Sequence, residues 1–293
     1  MRYRPFGKTG IRVSEVSLGG AYIGGPDPDR EQENAVEIVQ RANELGINYV
    51  DTAPLYGRSE ALFGYALEAA KARMHVATKV GYDPKDFDYR SDSVLRSLER
   101  SLKRLRISRL FSAQIHQVSE AGWERIMERG GTLEGLREAQ KRGLCDHIGI
   151  TDRAIPLLAR LARTGEFDTL LVFHDYHPCS KKAAEAVLPA AAASVMGIVV
   201  ATVLAGGLFS DEPRRKAALE NLQDPAERAN AEAIIGRLRD EPGSVALSAF
   251  RYVLADARVS TVSSGAATMT ELSDVARASE MGPLRWRCAG PTP

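Results

Sequence analysis

The stretch Asp51-Thr52-Ala53-Pro54-Leu55-Tyr56-Gly57 decides how the rest of this chain is interpreted. It follows a short strand-like run, Ile47–Val50, and precedes a helix-like run, Ser59–Ala72. A carboxylate therefore lies at the end of a strand, and a phenol follows five residues later in a loop. A tyrosine that donates a proton near neutral pH needs its pKa of ~10 lowered, usually by a nearby cation.

Strand-like runs and helix-like runs alternate eight times from Glu15 onward. Each run assigned to a strand is short and rich in β-branched or apolar residues, as buried parallel strands are. The predicted strands are Glu15–Leu18, Ile47–Val50, His75–Lys79, Leu110–His116, His147–Thr151, Thr169–Phe173, Ile198–Val203 and Val259–Ser263.

The segments between the predicted strands show helical periodicity. It is clearest in Ser91–Leu105, where apolar residues fall on one face. The other predicted helices are Glu31–Glu44, Ser59–Ala72, Thr132–Arg142, Ile155–Arg163, Lys181–Ala193, Ser244–Leu254 and Thr270–Ser279, with an extra one at Pro225–Arg239. Eight such alternations predict a closed (β/α)8 TIM barrel that forms one domain over residues 1–293. An N-terminal β-hairpin is expected from Tyr3–Phe6 and Val13, with turn-forming residues between them.

Two further ionisable residues end predicted strands. Lys79 ends the third strand and His116 the fourth, while Asp51 follows the second. Active sites of such barrels lie at the C-terminal ends of strands, and neighbouring strands are ~4.8 Å apart, so these side chains are able to converge. Asp51 is expected to hold Lys79, whose charge favours the phenolate of Tyr56, and His116 is expected to orient a substrate oxygen.

This arrangement resembles the Asp, Tyr, Lys, His tetrad of the aldo-keto reductases, and the resemblance covers nearly the whole chain. Asp51 and Tyr56 in DTAPLYG, Lys79 in ATKVG and His116 in QIHQ match it residue by residue. The resemblance implies an NAD(P)-dependent oxidoreductase of a small aldehyde, ketone or sugar, with tyrosine as general acid and base. The alternative is a non-catalytic nicotinamide-binding sensor or regulatory subunit on the same barrel.

The resemblance also implies that a nicotinamide cofactor lies across the barrel mouth. The segments expected to bind it follow strands one, five, seven and eight. Their candidate residues are Gly20, Thr151, Asp152, Ala201, Leu204, Gly207, Gly265, Ala266, Glu271 and Asp274. Asp152 replaces the usual Asn that contacts the carboxamide, and Ala201 replaces an aromatic residue that stacks on the nicotinamide in many members.

The segment after strand eight predicts that NAD(H) is used at least as well as NADP(H). Glu271 lies where the family usually has an Arg that binds the 2′-phosphate of NADP. A carboxylate repels that phosphate but accepts a hydrogen bond from the ribose 2′-hydroxyl of NAD. The competing possibility is that an Arg of the preceding insertion, Arg214 or Arg215, reaches the phosphate instead.

Tyr22 and Trp123 are candidate substrate-binding residues, although Trp123 is equally well explained as packing against a helix. The run His174–Cys179 contains ligand types that suit zinc, but no second cluster accompanies it, and we expect no metal site.

Composition narrows the kinds of partner and the cellular location to be expected. The 293 residues contain 39 Lys and Arg against 38 Asp and Glu, a formal charge of +1, which gives no reason to expect nucleic-acid or membrane partners. The uncharged run from Ala186 to Phe209 is interrupted by Pro189 and Gly197, so we expect a helix end, a turn and a buried strand there. Three cysteines without a CxxC pair and an N-terminus without an apolar signal core predict a cytoplasmic protein. The oligomeric state and the physiological substrate stay open at this stage.

Overall fold

A computed structural model describes residues 1–83 and 86–284 of the chain. Twelve strands occur in these residues. They are β1 (Tyr3–Pro5), β2 (Arg12–Ser14), β3 (Val16–Gly19), β4 (Tyr49–Asp51), β5 (His75–Val80), β6 (Tyr82–Asp83), β7 (Asp86–Phe87), β8 (Leu110–His116), β9 (Cys145–Asp152), β10 (Thr169–Phe173), β11 (Gly197–Ala201) and β12 (Thr261–Ser264).

Twelve α-helices occur in the same residues, and most of them lie between consecutive barrel strands. They are α1 (Glu31–Glu44), α2 (Ser59–Ala69), α3 (Ser91–Leu105), α4 (Val118–Met127), α5 (Thr132–Lys141), α6 (Ile155–Ala162), α7 (Lys182–Glu185), α8 (Val187–Ala193), α9 (Arg214–Glu220), α10 (Pro225–Arg239), α11 (Val245–Leu254) and α12 (Met269–Met281).

Eight of the strands close into a parallel barrel in the order β3-β4-β5-β8-β9-β10-β11-β12, with β12 pairing back onto β3. The helices surround it, so the predicted (β/α)8 barrel is confirmed. The predicted N-terminal hairpin is also confirmed, because β1 pairs antiparallel with β2 in the register Tyr3↔Ser14. None of the helices in the described ranges is both long and apolar enough to span a membrane.

The hairpin brings a phenylalanine to the N-terminal end of the barrel. Phe6 is completely buried, and its ring packs edge-on against Tyr49 at 5.1 Å and stacks with Phe111 at 5.9 Å between centroids. Gly197 leaves room for this ring, since a Cβ there would lie 2.4 Å from it. Apolar packing therefore fills this end of the barrel, and the polar strand ends lie at the opposite end.

One predicted helix is two helices in the structure. The run Lys181–Ala193 breaks at Ala186, which has φ −125° and ψ −54°, between α7 and α8. Proline lacks an amide hydrogen, and its ring clashes with the carbonyl four residues earlier. Pro189 stands four residues after Glu185, the last residue of α7, so the proline explains the position of the break.

Three elements were missed by the sequence prediction. They are the short antiparallel pair β6–β7, the helix α4, and α9. Gly122 interrupts α4 with a φ of 73°, which weakens its helical pattern in the sequence. The extra helix α10 has the predicted limits, and the uncharged run from residue 186 to 209 divides into α8, β11 and a loop, as expected.

A glycine permits the contact between α2 and α3. A Cβ on Gly64 would lie 2.4 Å from the carbonyl oxygen of Arg104 and 2.7 Å from the carbonyl carbon of Leu105. Both atoms belong to backbone, so a side chain forces the two helices apart. We therefore expect Gly64→Ala to lower the free energy of unfolding by about 1–3 kcal/mol in urea denaturation.

Gly236 in α10 is the matched control. It is exposed, and a Cβ there would meet nothing within 4 Å. Gly236→Ala is expected to leave stability unchanged or to raise it by up to about 1 kcal/mol, because alanine is the better helix former. Equal stability of the two variants would contradict the close packing of α2 on α3.

Candidate active site

Three of the predicted catalytic residues lie on adjacent barrel strands, at the C-terminal end of the barrel. Asp51 ends β4, Lys79 lies one residue before the end of β5, and His116 ends β8. Lys79 is paired in register with Gln114, two residues before His116, so the side chains of Lys79, Gln114 and His116 share the inner face. Short parallel strands of alternating inward and outward residues are what bring them together.

Lys79 and Asp51 form a buried ion pair. The Lys79 ammonium donates to Asp51 Oδ2 and to the backbone carbonyl of Thr52, the latter at 2.9 Å. The exposed fraction is only 1% for Lys79 and 4% for Asp51. Burial alone lowers the pKa of Lys79, but the negative charge of Asp51 and the interaction with Tyr56 more than offset it, and the pKa is raised. The lysine is therefore a fixed cation.

Gln114 completes the coordination of the carboxylate, and the sequence prediction missed it. Its side-chain amide donates to Asp51 Oδ1 at 2.7 Å, while Oδ2 faces Lys79. Gln114 is completely buried. Its position two residues before His116, on the same face of a strand, is the sequence signal that could have identified it.

Tyr56 lies in the loop after β4 and is half-buried. The Lys79 Nζ atom is 4.8 Å from the centroid of its ring. The ring meets His116 edge-to-face, with 5.9 Å between the ring centroids. The phenol is thus held between a cation and an imidazole at the mouth of the barrel.

His116 provides a neutral imidazole. It is only 4% exposed, and burial together with the charge of Lys79 lowers its pKa to about 2. Its Nδ1 atom has no hydrogen-bond partner among the described residues, and its backbone carbonyl accepts a hydrogen bond from the Tyr89 hydroxyl at 2.7 Å. The structure therefore brings all four predicted residues together, with a buried polar atom of His116 still unsatisfied.

Aromatic residues that the sequence prediction did not use lie beside this cluster. The Tyr82 ring is 5.8 Å from His116 and 4.7 Å from Phe87, both edge-to-face. Tyr82, Phe87 and Tyr89 all occur within ten residues after Lys79, which is the signal that could have identified them.

The loop after β11 has the backbone shape of an anion-binding cradle. Gly206 and Gly207 have φ values of +66° and +108°, and Thr202 and Ala205 also have positive φ. Such a run turns backbone N–H groups toward one side. Ala201 and Leu204, the other predicted cofactor residues here, are half-buried at the start of the loop. Positive φ at the two glycines fits the close approach of a pyrophosphate.

Gly20 has a packing reason to be glycine. A Cβ there would lie 2.5 Å from Ser59 Oγ, and that hydroxyl donates to the Gly20 carbonyl at 2.8 Å.

Gly265 and Ala266 follow β12, and Gly265 leaves space for the ring of Tyr22. The nearest atom of that ring would be 3.2 Å from a Cβ on Gly265. Tyr22, at 65% exposure, therefore stands at the mouth of the barrel over the segment that leads to α12.

Thr151 and Asp152 end β9, but the Asp152 carboxylate already has partners. It accepts backbone N–H groups from Ser119 at 2.6 Å, Arg153 at 2.5 Å and Ala154 at 3.1 Å. The carboxylate thus organises the start of α4 and of α6, and its contact with a nicotinamide carboxamide stays a prediction. Thr151, the other residue predicted for that contact, is 1% exposed.

Glu271 lies at the start of α12 and is also engaged. Its Oε2 accepts the Ala267 N–H at 2.8 Å, and its Oε1 lies 3.1 Å from Arg214 Nη1. Arg214 comes from α9, in the insertion after β11, so this pair ties the insertion to α12. The Asp274 carboxylate, one turn further on, accepts a hydrogen bond from Ser244.

Trp123 packs against a helix in the structure. Its ring lies under the Arg160 guanidinium of α6, with 3.6 Å from Cζ to the ring centroid.

In the run His174–Cys179, Asp175 pairs with Arg153 at 3.1 Å, and His177 Nδ1 accepts the Cys179 N–H at 3.2 Å. No group of three His, Cys, Asp or Glu side chains is arranged for a metal ion within the described residues.

Comparison with known proteins shows to which protein family this chain belongs. The sequence model of the Aldo/keto reductase family matches residues 15–285. The chain therefore belongs to the aldo/keto reductase family. It is accordingly a nicotinamide-dependent oxidoreductase that acts on carbonyl or sugar substrates, as the sequence predicted.

Individual relatives cover nearly the whole chain. L-galactose dehydrogenase of Arabidopsis thaliana is 26% identical over 292 residues, covering 96% of this chain and 89% of that protein. D-threo-aldose 1-dehydrogenase of a Pseudomonas species is 26% identical and covers 90% of this chain and 88% of that protein. The holo form of an aldo-keto reductase from Bacillus halodurans shares the fold, with a TM-score of 0.80, 24% identity and coverage of 97% of this chain and 92% of its own.

The contact between Gln114 and Asp51 leads to a prediction. Gln114→Leu keeps the side-chain volume but leaves one oxygen of a buried carboxylate without a donor. We expect the free energy of unfolding to fall by about 1–3 kcal/mol and turnover to fall ~10-fold, because Asp51 keeps its ion pair with Lys79 but loses the hydrogen bond that fixes the orientation of the carboxylate. Urea denaturation and steady-state kinetics measure the two effects.

Ser93→Ala is the control for this variant. Ser93 is also buried, and its hydroxyl has no hydrogen-bond partner among the described residues. It lies on α3, away from the ion pair, and its replacement is expected to change stability by less than about 0.5 kcal/mol. Wild-type turnover in Gln114→Leu would show that the hydrogen bond to Asp51 is dispensable.

Proposed function

We propose that Asp51, Tyr56, Lys79 and His116 are the catalytic residues of this oxidoreductase. The observation that carries the proposal is their convergence at one end of the barrel, around a buried lysine whose positive charge is maintained by Asp51. Asp51 positions Lys79, and the ammonium lies 4.8 Å from the centroid of the Tyr56 ring, where it attracts negative charge that develops on the phenol oxygen during proton transfer. Tyr56 and His116 then face the substrate.

In the reductive direction Tyr56 donates its hydroxyl proton to the substrate carbonyl oxygen, and in the oxidative direction the phenolate removes it from the alcohol. Neutral His116 offers a ring N–H to the same oxygen and fixes its orientation. The nicotinamide, when bound, gives or takes the hydride at carbon. The residues of this chain thus transfer only the proton. They also bind the substrate oxygen, whose charge changes during the reaction.

The substrate we propose is an aldose oxidised at C1. The relatives named L-galactose dehydrogenase and D-threo-aldose 1-dehydrogenase support this proposal, since they cover most of the chain. Oxidation of a cyclic aldose breaks the C1–H and the C1 hydroxyl O–H bonds. The hydride leaves to the cofactor, the proton leaves to Tyr56, and a lactone forms.

The cofactor is held, in this proposal, by the loop after β11 and the start of α12. Gly207 and its neighbours receive the pyrophosphate, and Thr151 contacts the nicotinamide. We propose NAD(H) as a cofactor used at least as well as NADP(H), because Arg214 is already neutralised by Glu271. A 2′-phosphate would have to displace that carboxylate.

A cytoplasmic location is also part of the proposal. Neither Cys145 nor Cys179 is in a disulfide bond, and Cys288 lies outside the described residues. Thiols that stay reduced are typical of that compartment. The partners proposed are small molecules only.

The test of the catalytic assignment is Tyr56→Phe, which removes the proton donor and retains the ring. Turnover, followed by absorbance of the reduced nicotinamide with a panel of aldoses and aldehydes, is expected to fall ~10²-fold or more. The dissociation constant of the cofactor is expected to stay within about twofold of that of the wild type, because the phenol contributes no phosphate contact.

Tyr65→Phe is the matched control for this test, since Tyr65 lies on α2 with its ring under Arg106. It is expected to keep wild-type turnover. A Tyr56→Phe enzyme with near-normal activity would end the tetrad assignment. A wild-type protein that binds cofactor tightly and turns over no carbonyl, alcohol or sugar would instead support the sensor alternative.

Cofactor choice is tested at Glu271. Glu271→Gln keeps an acceptor for the Ala267 N–H but releases the charge of Arg214. We expect NADPH to bind ~10-fold tighter to this variant than to the wild type, about 1.4 kcal/mol, with a much smaller change for NADH. The additional change Arg214→Gln is expected to abolish the gain, and calorimetry at fixed ionic strength measures all the constants. NADPH that binds the wild type tenfold tighter than NADH would refute the preference for NAD(H).

A further inference from the structure

The hairpin β6–β7 carries two aromatic rings to the edge of the catalytic cluster. Tyr82 and Phe87 are partners across the hairpin, with ring centroids 4.7 Å apart and planes at 81°. The Tyr82 ring also lies 5.8 Å from that of His116. We call Tyr82 and Phe87 the aromatic wall. It continues outward from a residue that faces the reacting oxygen.

The aromatic wall is held in place by Tyr89, which lies on its buried side. The Tyr89 ring lies 5.7 Å from Phe87, and the Tyr89 hydroxyl donates to the His116 carbonyl. The backbone carbonyl of Tyr89 accepts the Thr132 hydroxyl at 2.6 Å. Gly81, with φ +91°, makes room for this ring, since a Cβ there would lie 2.1 Å from it. Tyr89 therefore links the hairpin to the strand that ends in His116.

The outer ring of the wall is open to solvent. Phe87 is 55% exposed, and Tyr82 is half-buried, whereas Tyr89 beneath them is 5% exposed. A single exposed phenylalanine is ordinary on a protein surface. Here the exposed ring is continuous with the active site, on a hairpin anchored to it, and apolar surface in such a place is characteristic of ligand contact.

The other side of the mouth is polar. Arg153 follows β9 and pairs at 3.1 Å with Asp175, which follows β10, and the Arg153 side chain is 54% exposed. His174, between β10 and Asp175, is half-buried. The barrel order sets β5, β8, β9 and β10 side by side, so the wall stands over β5 and β8 and the polar rim over β9 and β10.

We propose that the aromatic wall binds the C–H face of a sugar in its ring form, with the hydroxyl groups directed to the polar rim of Arg153, His174 and Asp175. This inference rests on the proposed function and names the form of the substrate. A pyranose ring has one face of C–H groups and an edge of hydroxyls, which matches a mouth with one apolar and one polar side. An apolar aldehyde would match only the wall and would form no hydrogen bonds with the rim.

The test is Phe87→Ala together with Phe87→Trp. Removing the ring is expected to raise KM for oxidation of aldohexoses ~10-fold or more, the usual scale of an aromatic contact, with kcat within about threefold. Phe87→Trp retains a stacking surface and is expected to restore KM to near the wild-type value. Glyceraldehyde, which has the reacting carbonyl but is too short to form a pyranose ring, is expected to be reduced by Phe87→Ala with wild-type kcat/KM.

Tyr65→Ala is the control, because it removes an aromatic ring from α2, away from the mouth; it should change neither substrate's KM. Thermal melting of each variant shows that the fold is retained. Equal losses with glyceraldehyde and aldohexoses, or no change with aldohexoses, would overturn the sugar-binding role of the wall. A loss confined to benzaldehyde would do the same and would assign the wall to apolar aldehydes.

The proposed function and this inference fail in different ways. A wild-type enzyme that reduces simple aldehydes but oxidises no aldose overturns the inference together with the proposed aldose substrate, and it keeps the catalytic assignment. A wild-type protein with no turnover of any carbonyl, alcohol or sugar overturns the proposed function itself.

Discussion

The buried ion pair between Lys79 and Asp51 is the interaction on which the site depends. An isolated charge at this depth costs several kcal/mol, and the cost is offset only when the partner and the remaining hydrogen bonds are all in place. Gln114 and the Thr52 carbonyl supply those bonds. The barrel provides the geometry, because β4 and β5 are neighbours and both residues point inward near the ends of those strands. Tyr56 and His116 are arranged around the cation that results.

Much of this arrangement could be read from the sequence. Parallel strands buried on both sides are short and apolar throughout, and eight of them with helices between them leave few folds to consider. Residues that end such strands meet at one edge, so Asp51, Lys79 and His116 could be grouped from the sequence alone. The loop position of Tyr56 followed from its distance behind Asp51.

Other features depend on contacts that sequence patterns do not encode. Gln114 and Asp51 are 63 residues apart, and Arg214 and Glu271 are 57 apart, so neither contact has a local signal. Asp152 could be identified as a replacement for an amide, but the hydrogen bond that it accepts from the Ser119 N–H, 33 residues earlier, is set by the fold. The break at Ala186 is different, because its cause is visible in the sequence. Pro189 predicts a break four residues earlier, but the helical pattern of the alanines around it favoured one continuous helix.

Two ion pairs and a neutral imidazole lie around the reacting position. Lys79 is balanced by Asp51, Arg153 by Asp175, and His116 carries no charge because its pKa lies near 2. These two pairs and the neutral imidazole therefore add little to any attraction or repulsion of a ligand from a distance. Their contribution to the association rate is consequently expected to change little with dissolved salt. The part that these residues play in selecting a ligand is played at contact distance.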